Sequence, residues 1–118
     1  MDTRMSENEK QNKISDDVIA VCAVNATRRT EGVAEMAGGL TDMLNKSLLN
    51  REIAAKGVKV SQNDGEFELD IYIIAKYGCQ IPAVAWEIQE NVKREIKYMT
   101  DVDIQSVNIH VQGVKADD

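Results

Sequence analysis

The stretch VKVSQNDGEFELDIYIIAKYG, residues 58–78, holds two alternating runs joined by Asn63, Asp64 and Gly65. Those three residue types tolerate positive φ, so the pattern predicts a β-hairpin with a tight turn. In the second run Phe67, Leu69, Ile71, Ile73 and Ala75 fall on one face, and Glu66, Glu68, Asp70, Tyr72 and Lys76 on the other. A sheet with one packed face and one wet face requires that division.

On the C-terminal side, Gly78 ends the strand and Pro82 stands near the first turn of a helix, where its missing N–H costs nothing. Ile81, Val84, Ala85, Ile88, Val92, Ile96 and Met99 then recur at steps of three and four. They form an apolar stripe about five turns long that suits packing on the sheet. Next, Val107, Ile109 and Val111 alternate with Ser106, Asn108, His110 and Gln112, which predicts a last strand terminated by Gly113. On the N-terminal side, Ser15 is a candidate N-cap, and Asp16 and Asp17 occupy the first turn, where the helix dipole favours them. Val18, Ile19, Cys22, Ala23 and Ala26 follow at helical spacing and predict a helix over Asp16 to Thr30. Gly32 and the pair Gly38 and Gly39 bracket a short piece, Val33 to Ala37, that reads as an extended strand. The stretch Leu40 to Lys56, with Leu44, Leu48, Leu49 and Ile53, reads as a short helix or an excursion from the domain.

Residues 1–14 are polar and alternate in charge sign, the pattern of a flexible tail, and 115–118 form a short acidic end. The expected architecture is one α+β domain over residues 15–114. It has a three- or four-stranded antiparallel or mixed sheet with two helices on one face, in the order α-(β)-β-β-α-β.

Composition bounds the rest. A chain of 118 residues buries roughly 65% of its unfolded surface. With 43% hydrophobic but only 4% aromatic residues, the core must be made of Val, Ile, Leu, Ala and Met. No apolar stretch approaches the roughly 20 residues that cross a bilayer, and the N-terminus lacks the apolar core of a signal peptide. The expectation is a cytoplasmic chain with no transmembrane insertion. Cys22 and Cys79 have no CxxC spacing and no secreted-scaffold context, so both read as buried, reduced thiols.

Fourteen basic against twenty acidic residues give a net charge of −6, which opposes binding of a phosphate backbone, so no nucleic-acid partner is expected. The densest basic group, Lys93, Arg94 and Lys97, is interleaved with Glu87, Glu90 and Glu95, and reads as a solvated helix face with a Glu90–Arg94 pair. Glu66, Glu68 and Asp70 lie side by side on one strand face, whereas a hard cation needs oxygens converging from several directions, so they read as solubilising and edge-protecting. His110 is the one histidine, has no partner for a zinc pair, and falls on the polar strand face as an exposed imidazole. The glycines at 32, 38 and 39 match no phosphate-cradling loop. No catalytic residue, metal ligand or cofactor site is therefore expected. Trp86 lies about a quarter turn off the apolar stripe and reads as core edge, with a partner-binding anchor as the alternative. The helix face around Trp86, Gln89 and Lys93 is the candidate partner-binding surface.

Several blocks occur together in uninterrupted order: TRRTEGVAEMAGG (27–39), KGVKV (56–60), ELDIYIIAKYG (68–78), IPAVAWEIQENVKREIKYMT (81–100) and VNIHVQGV (107–114). From about Ser15 to Val114 they closely resemble the alkaline-shock protein family, small general-stress and cell-envelope-stress proteins of Gram-positive bacteria. The most distinctive match is YG, two residues, IP, and the helix carrying EIQENVK. The resemblance implies a non-enzymatic protein of the cytoplasm or the inner membrane surface. It implies protein partners, in some members a small membrane-anchored one, and self-association in others. Paralogues are tied instead to fatty-acid synthesis, so a regulator of a metabolic enzyme, docking through the face around Trp86, is the alternative. The family carries no agreed catalytic residues over to this chain.

Overall fold

The computed structural model describes residues 16–37 and 57–116. Ser15, the polar segment 1–14, the pair Gly38 and Gly39, and the whole stretch 40–56 lie outside them. Residues 16–28 form helix α1, somewhat shorter than the span to Thr30, because 29 and 30 already turn toward the first strand. Strands β1 (Val33–Met36), β2 (Val58–Asn63) and β3 (Glu66–Lys76) follow, then helix α2 (Ile81–Thr100) and strand β4 (Ile104–Lys115). The order is α-β-β-β-α-β, and the fold class is the expected α+β.

β3 organises the sheet. Its hairpin with β2 is antiparallel, with Val58 opposite Ile71 and Asn63 opposite Glu66. The two-residue connection Asp64-Gly65 has φ of 57° and 81°. Both signs are those of a type I′ turn, whose twist matches the flanking strands. β1 pairs antiparallel with the far end of β3, over Ile73 to Ala75. β1 and β2 therefore follow one another along the same border of β3. The changeover falls at Tyr72, whose carbonyl accepts from the Ala37 N–H at 2.9 Å while its own N–H donates to the Gly57 carbonyl at 2.8 Å. Gly57 is needed here, since its φ is 76° and a Cβ would lie 3.0 Å from Met36 Cε. β4 runs parallel to β3 along the whole of the other border, from Phe67 opposite Ile104 to Lys76 opposite Lys115.

Both helices cover one face. From α1, Ile19, Ala20, Cys22, Ala23 and Ala26 enter the core; from α2, Val84, Ile88, Val92 and Ile96 do; Leu69, Ile71, Ile73 and Val107 meet them from the sheet. Each large aliphatic side chain so buried contributes about 1.5–3 kcal/mol. The stripe of α2 is narrower than its spacing suggests, because Ile81 and Met99 at its ends are 39% and 56% exposed. α2 closes at Asp101, which adopts φ 65° and donates its N–H to the Lys97 carbonyl at 2.9 Å.

Three expectations change. Gly113 does not end β4: the strand passes through it to Lys115, because a register shift between Ile73 and Ile74 absorbs one extra residue of β4. Cys22 is buried, but Cys79, in the β3–α2 loop, is only half-buried; both are free thiols. Arg94 donates to Asn91 Oδ1 at 3.0 Å instead of pairing with Glu90, and the cross-helix ion pair is Arg29–Glu95 at 3.2 Å.

Candidate functional site

The loop leaving β3 and the first turns of α2 expose several large apolar side chains. Gly78, at φ 90°, turns the chain, and the Gln80 carbonyl accepts from the Val84 N–H at 2.9 Å to start the helix. Ile81 and Pro82 fill the first two helical positions, and no acidic side chain sits in the first turn. That start points Val84 and Ile88 at the sheet and leaves the neighbouring flank to solvent. Ile81, at the N-terminal end of the core-facing stripe, is 39% exposed, Tyr77 in the loop before it is 76% exposed, and Trp86, about 140° round the helix from Ile81, is 59% exposed. Trp86, at 59% exposure, thus stands out of the core, not at its edge, because it lies well round the helix from the buried line through Val84 and Ile88.

Trp86, Gln89 and Lys93, at steps of three and four, share a flank of α2. Lys93 is exposed, but Gln89 is half-buried, its Nε2 donating to the Val107 carbonyl of β4 at 2.8 Å. That flank therefore looks toward the β4 border. Because α2 runs antiparallel to β4, Trp86 lies one turn nearer than Gln89 to the C-terminal half of the strand.

The second candidate region is the sheet face away from the helices. Glu68 and Asp70 are neither on an edge strand nor free, because β4 lies alongside β3. Asn108 Nδ2 donates to Glu68 Oε2 at 3.0 Å and to Asp70 Oδ1 at 3.2 Å, and His110 Nε2 lies 2.9 Å from the same Asp70 oxygen. The His110 ring stacks on Tyr72 with centroids 4.5 Å apart and planes 13° from parallel. His110 is consequently half-buried and engaged, not a bare surface imidazole. Burial, followed by the Asp70 charge, raises the pKa of Tyr72. The register of β3 with β4 places Asn108 and His110 directly across from Asp70 and Tyr72; alternation alone could assign each residue to the polar face but not the pairing. Among the described residues no group of three or more His, Cys, Asp or Glu is placed to hold a metal ion. As arranged, this face is a hydrogen-bonded lattice tying β3 to β4.

A half-open cleft of about 500 Å³ lies between α1 and β1, lined by Val21, Val24, Arg28, Val33, Glu35 and Met36 among others. Burial, then the Glu95 charge, raises the pKa of the Cys22 thiol, keeping it protonated and unreactive. Among the described residues no helix is long and apolar enough to cross a membrane.

Fold and surfaces together define a small helix-on-sheet α+β domain whose polar face is knitted by hydrogen bonds between β3 and β4 and whose longer helix carries an exposed tryptophan. The chain belongs to the alkaline shock protein 23 family, a family of cell envelope-related function, whose model matches residues 4–116. It is 36% identical over 109 residues to the uncharacterised protein YqhY of Bacillus subtilis, covering 89% of this chain and 77% of that one. It is 37% identical over 108 residues to YloU of the same organism, covering 86% of each. A stress response regulator gls24 homolog of Streptococcus pyogenes is 31% identical over 100 residues, which are 85% of this chain and 56% of the longer relative. No solved structure matches. The family is therefore stress- and envelope-related and found in Gram-positive bacteria, as the sequence blocks imply.

Proposed function

We propose that this protein serves cell-envelope homeostasis under stress as a non-catalytic interaction module, docking a protein partner through the exposed flank of α2. The partner is a small membrane-anchored protein that holds the otherwise cytoplasmic chain at the inner face of the membrane. The carrying observation is the 59% exposure of Trp86 in the second turn of α2, with Tyr77 76% exposed in the loop before the helix. The chain has a single tryptophan and 4% aromatic residues, and it leaves that tryptophan 59% exposed. Tryptophans of that kind are enriched at the energetic centres of interfaces, and contiguous apolar patches on soluble domains mark contact sites. Lys93 on the same flank adds a cation beside the apolar patch, and Gln89 contributes mainly by holding the helix to β4.

The reading is tested by placing a photo-cross-linking side chain at position 86 in stressed cells, with Ser61, on the opposite sheet face, as control. A dominant adduct from position 86 with a small membrane protein, absent from position 61, is the expected result. An adduct with a soluble enzyme of lipid synthesis would replace this partner with the metabolic alternative. Equal or no adducts from the two positions would overturn the docking surface itself.

A further inference from the structure

The seam between the two helices gathers positive charge in an acidic molecule. The described residues include three arginines, Arg28, Arg29 and Arg94. Two of them, Arg29 just past the end of α1 and Arg94 on α2, line one polar cleft of about 210 Å³ together with Ala26, Asn91 and Glu95. The cleft thus sets two guanidiniums against one carboxylate, a local excess of positive charge in a chain of net charge −6. The nearby Lys97, in contrast, is committed to Asp101 and Asp103, at 3.4 and 3.3 Å.

Among the described residues neither arginine is saturated. Arg29 reaches Glu95 through Nη2 alone at 3.2 Å, long for a charge-assisted contact, and its side chain is 65% exposed. An exposed pair of that kind adds little to stability. Arg94 gives Nη1 to Asn91 Oδ1 at 3.0 Å. A guanidinium carries five N–H donors in a rigid fork, so each arginine keeps most of its fork for another acceptor.

What holds Arg94 is anchored in the interior. Asn91 Nδ2 donates to Thr30 Oγ1 at 3.0 Å, and the hydroxyl of Thr30, a residue 4% exposed, donates to the Ala26 carbonyl at 2.9 Å. With its nitrogen held from behind, Asn91 turns its oxygen outward to Arg94. A chain of hydrogen bonds that starts in the core and ends on a solvent-facing guanidinium preorganises that group, which lowers the ordering cost for a ligand that takes it. For helix stability alone a solvated arginine would serve.

We propose that this cleft binds a phosphoryl group, seated between Arg29 and Arg94. Two forks approaching from different helices call for more acceptor oxygens than the two of a carboxylate, and a phosphoryl group offers three on one centre. Arg94 is already in place, and the mostly exposed Arg29 turns from Glu95 to the ligand. Asn91 is a positioning residue. The site is separate from the docking flank: Trp86 and Arg94, eight residues apart, stand about 80° apart round α2 and about 12 Å apart along it. Its failure would leave the docking surface at Trp86 standing.

The test is calorimetric titration of the full chain with inorganic phosphate at constant ionic strength, with acetate as the carboxylate control. Saturable binding at one site is expected, weakened about tenfold by Arg29→Gln or Arg94→Gln, the loss of charged hydrogen bonds. Arg94→Lys, which keeps the charge without the fork, should also bind more weakly. Arg28→Gln, on the α1–β1 side of the helix, should bind like the wild type, and circular dichroism should show all variants folded. Vesicles of phosphatidic acid in phosphatidylcholine identify the source. Cosedimentation lost in Arg94→Gln assigns the group to a lipid headgroup, and phosphate binding without cosedimentation assigns it to a small soluble phosphate. No saturable phosphate binding overturns the proposal. So does acetate that competes equally with phosphate, an Arg28→Gln loss as large as that of Arg94→Gln, or an Arg94→Lys that binds like the wild type.

Discussion

The two faces of β3 solve opposite problems with the same backbone. Leu69, Ile71 and Ile73, at most 1% exposed, point into a core lined by both helices. Glu68, Asp70 and Tyr72 point the other way and are only partly covered, yet each has a partner on β4: Asn108 for both carboxylates, and His110 for Asp70 and Tyr72. One face is held by removal of apolar surface from water, the other by directional contacts that fix β4 in register. The difference teaches where function is absent as well as present. Neither face is idle, which leaves the exposed surface of the helices as the part whose composition the fold itself does not explain.

The core face of β3 is the more sensitive to substitution. Ile71→Ala should lower the unfolding free energy by about 2–5 kcal/mol, measured by denaturant titration, because a fully buried side chain leaves a cavity that the neighbouring helices cannot fill. A loss below 1 kcal/mol would mean that the core face is not packed as described. On the polar face, Asp70→Ala should cost about 1–3 kcal/mol, since it strips hydrogen-bond partners from Asn108 and His110. A neutral result would reduce the lattice to decoration. Thr27 sharpens the contrast, being a buried polar group on the apolar side. Its hydroxyl is fully buried with no hydrogen-bond partner among the described residues, so Thr27→Val, nearly the same shape, should stabilise by about 1 kcal/mol.

A smaller effect separates the faces by pH. The Tyr72 pKa is raised in the folded protein by burial and by Asp70. Folding therefore favours the neutral phenol, and the stability involved is fully present below the ordinary tyrosine value of about 10. It is lost as pH climbs from there toward the raised folded value. Melting temperatures followed into that alkaline range should fall more steeply for the wild type than for Tyr72→Phe, which keeps the stacked ring. Parallel curves would remove the phenol from the account.

Much of this architecture was legible in the residues. The Asn63-Asp64-Gly65 turn, the alternation of β3 and the spacing of Val84, Ile88, Val92 and Ile96 are local signals, and each led to the right element. What escaped depended on pairings between distant segments. Nothing near Glu68 or Asp70 indicates that a strand forty residues later will lie beside them, so an edge row of solubilising acids was expected where an interior lattice exists. Gly113 looked like a terminator because a register shift of β4 against β3 has no local signature. The exposure of Trp86 was the hardest to read, since a quarter turn off the stripe suits both the rim of a core and a bare flank. Only the direction in which Val84 and Ile88 are buried separates them. Helical spacing puts Trp86, Gln89 and Lys93 on one flank, but that Gln89 is bound to β4 is again a long-range fact.

The central claim is that the bare flank of α2, not the core or the polar lattice, carries the biological role. The most direct measurement pairs stability with survival for Trp86→Ala. Its unfolding free energy should stay within about 0.5 kcal/mol of wild type, as for an exposed position away from special features. Cells carrying it should nonetheless survive envelope stress no better than cells lacking the protein. Wild-type survival with the variant folded and present at normal level would contradict the account.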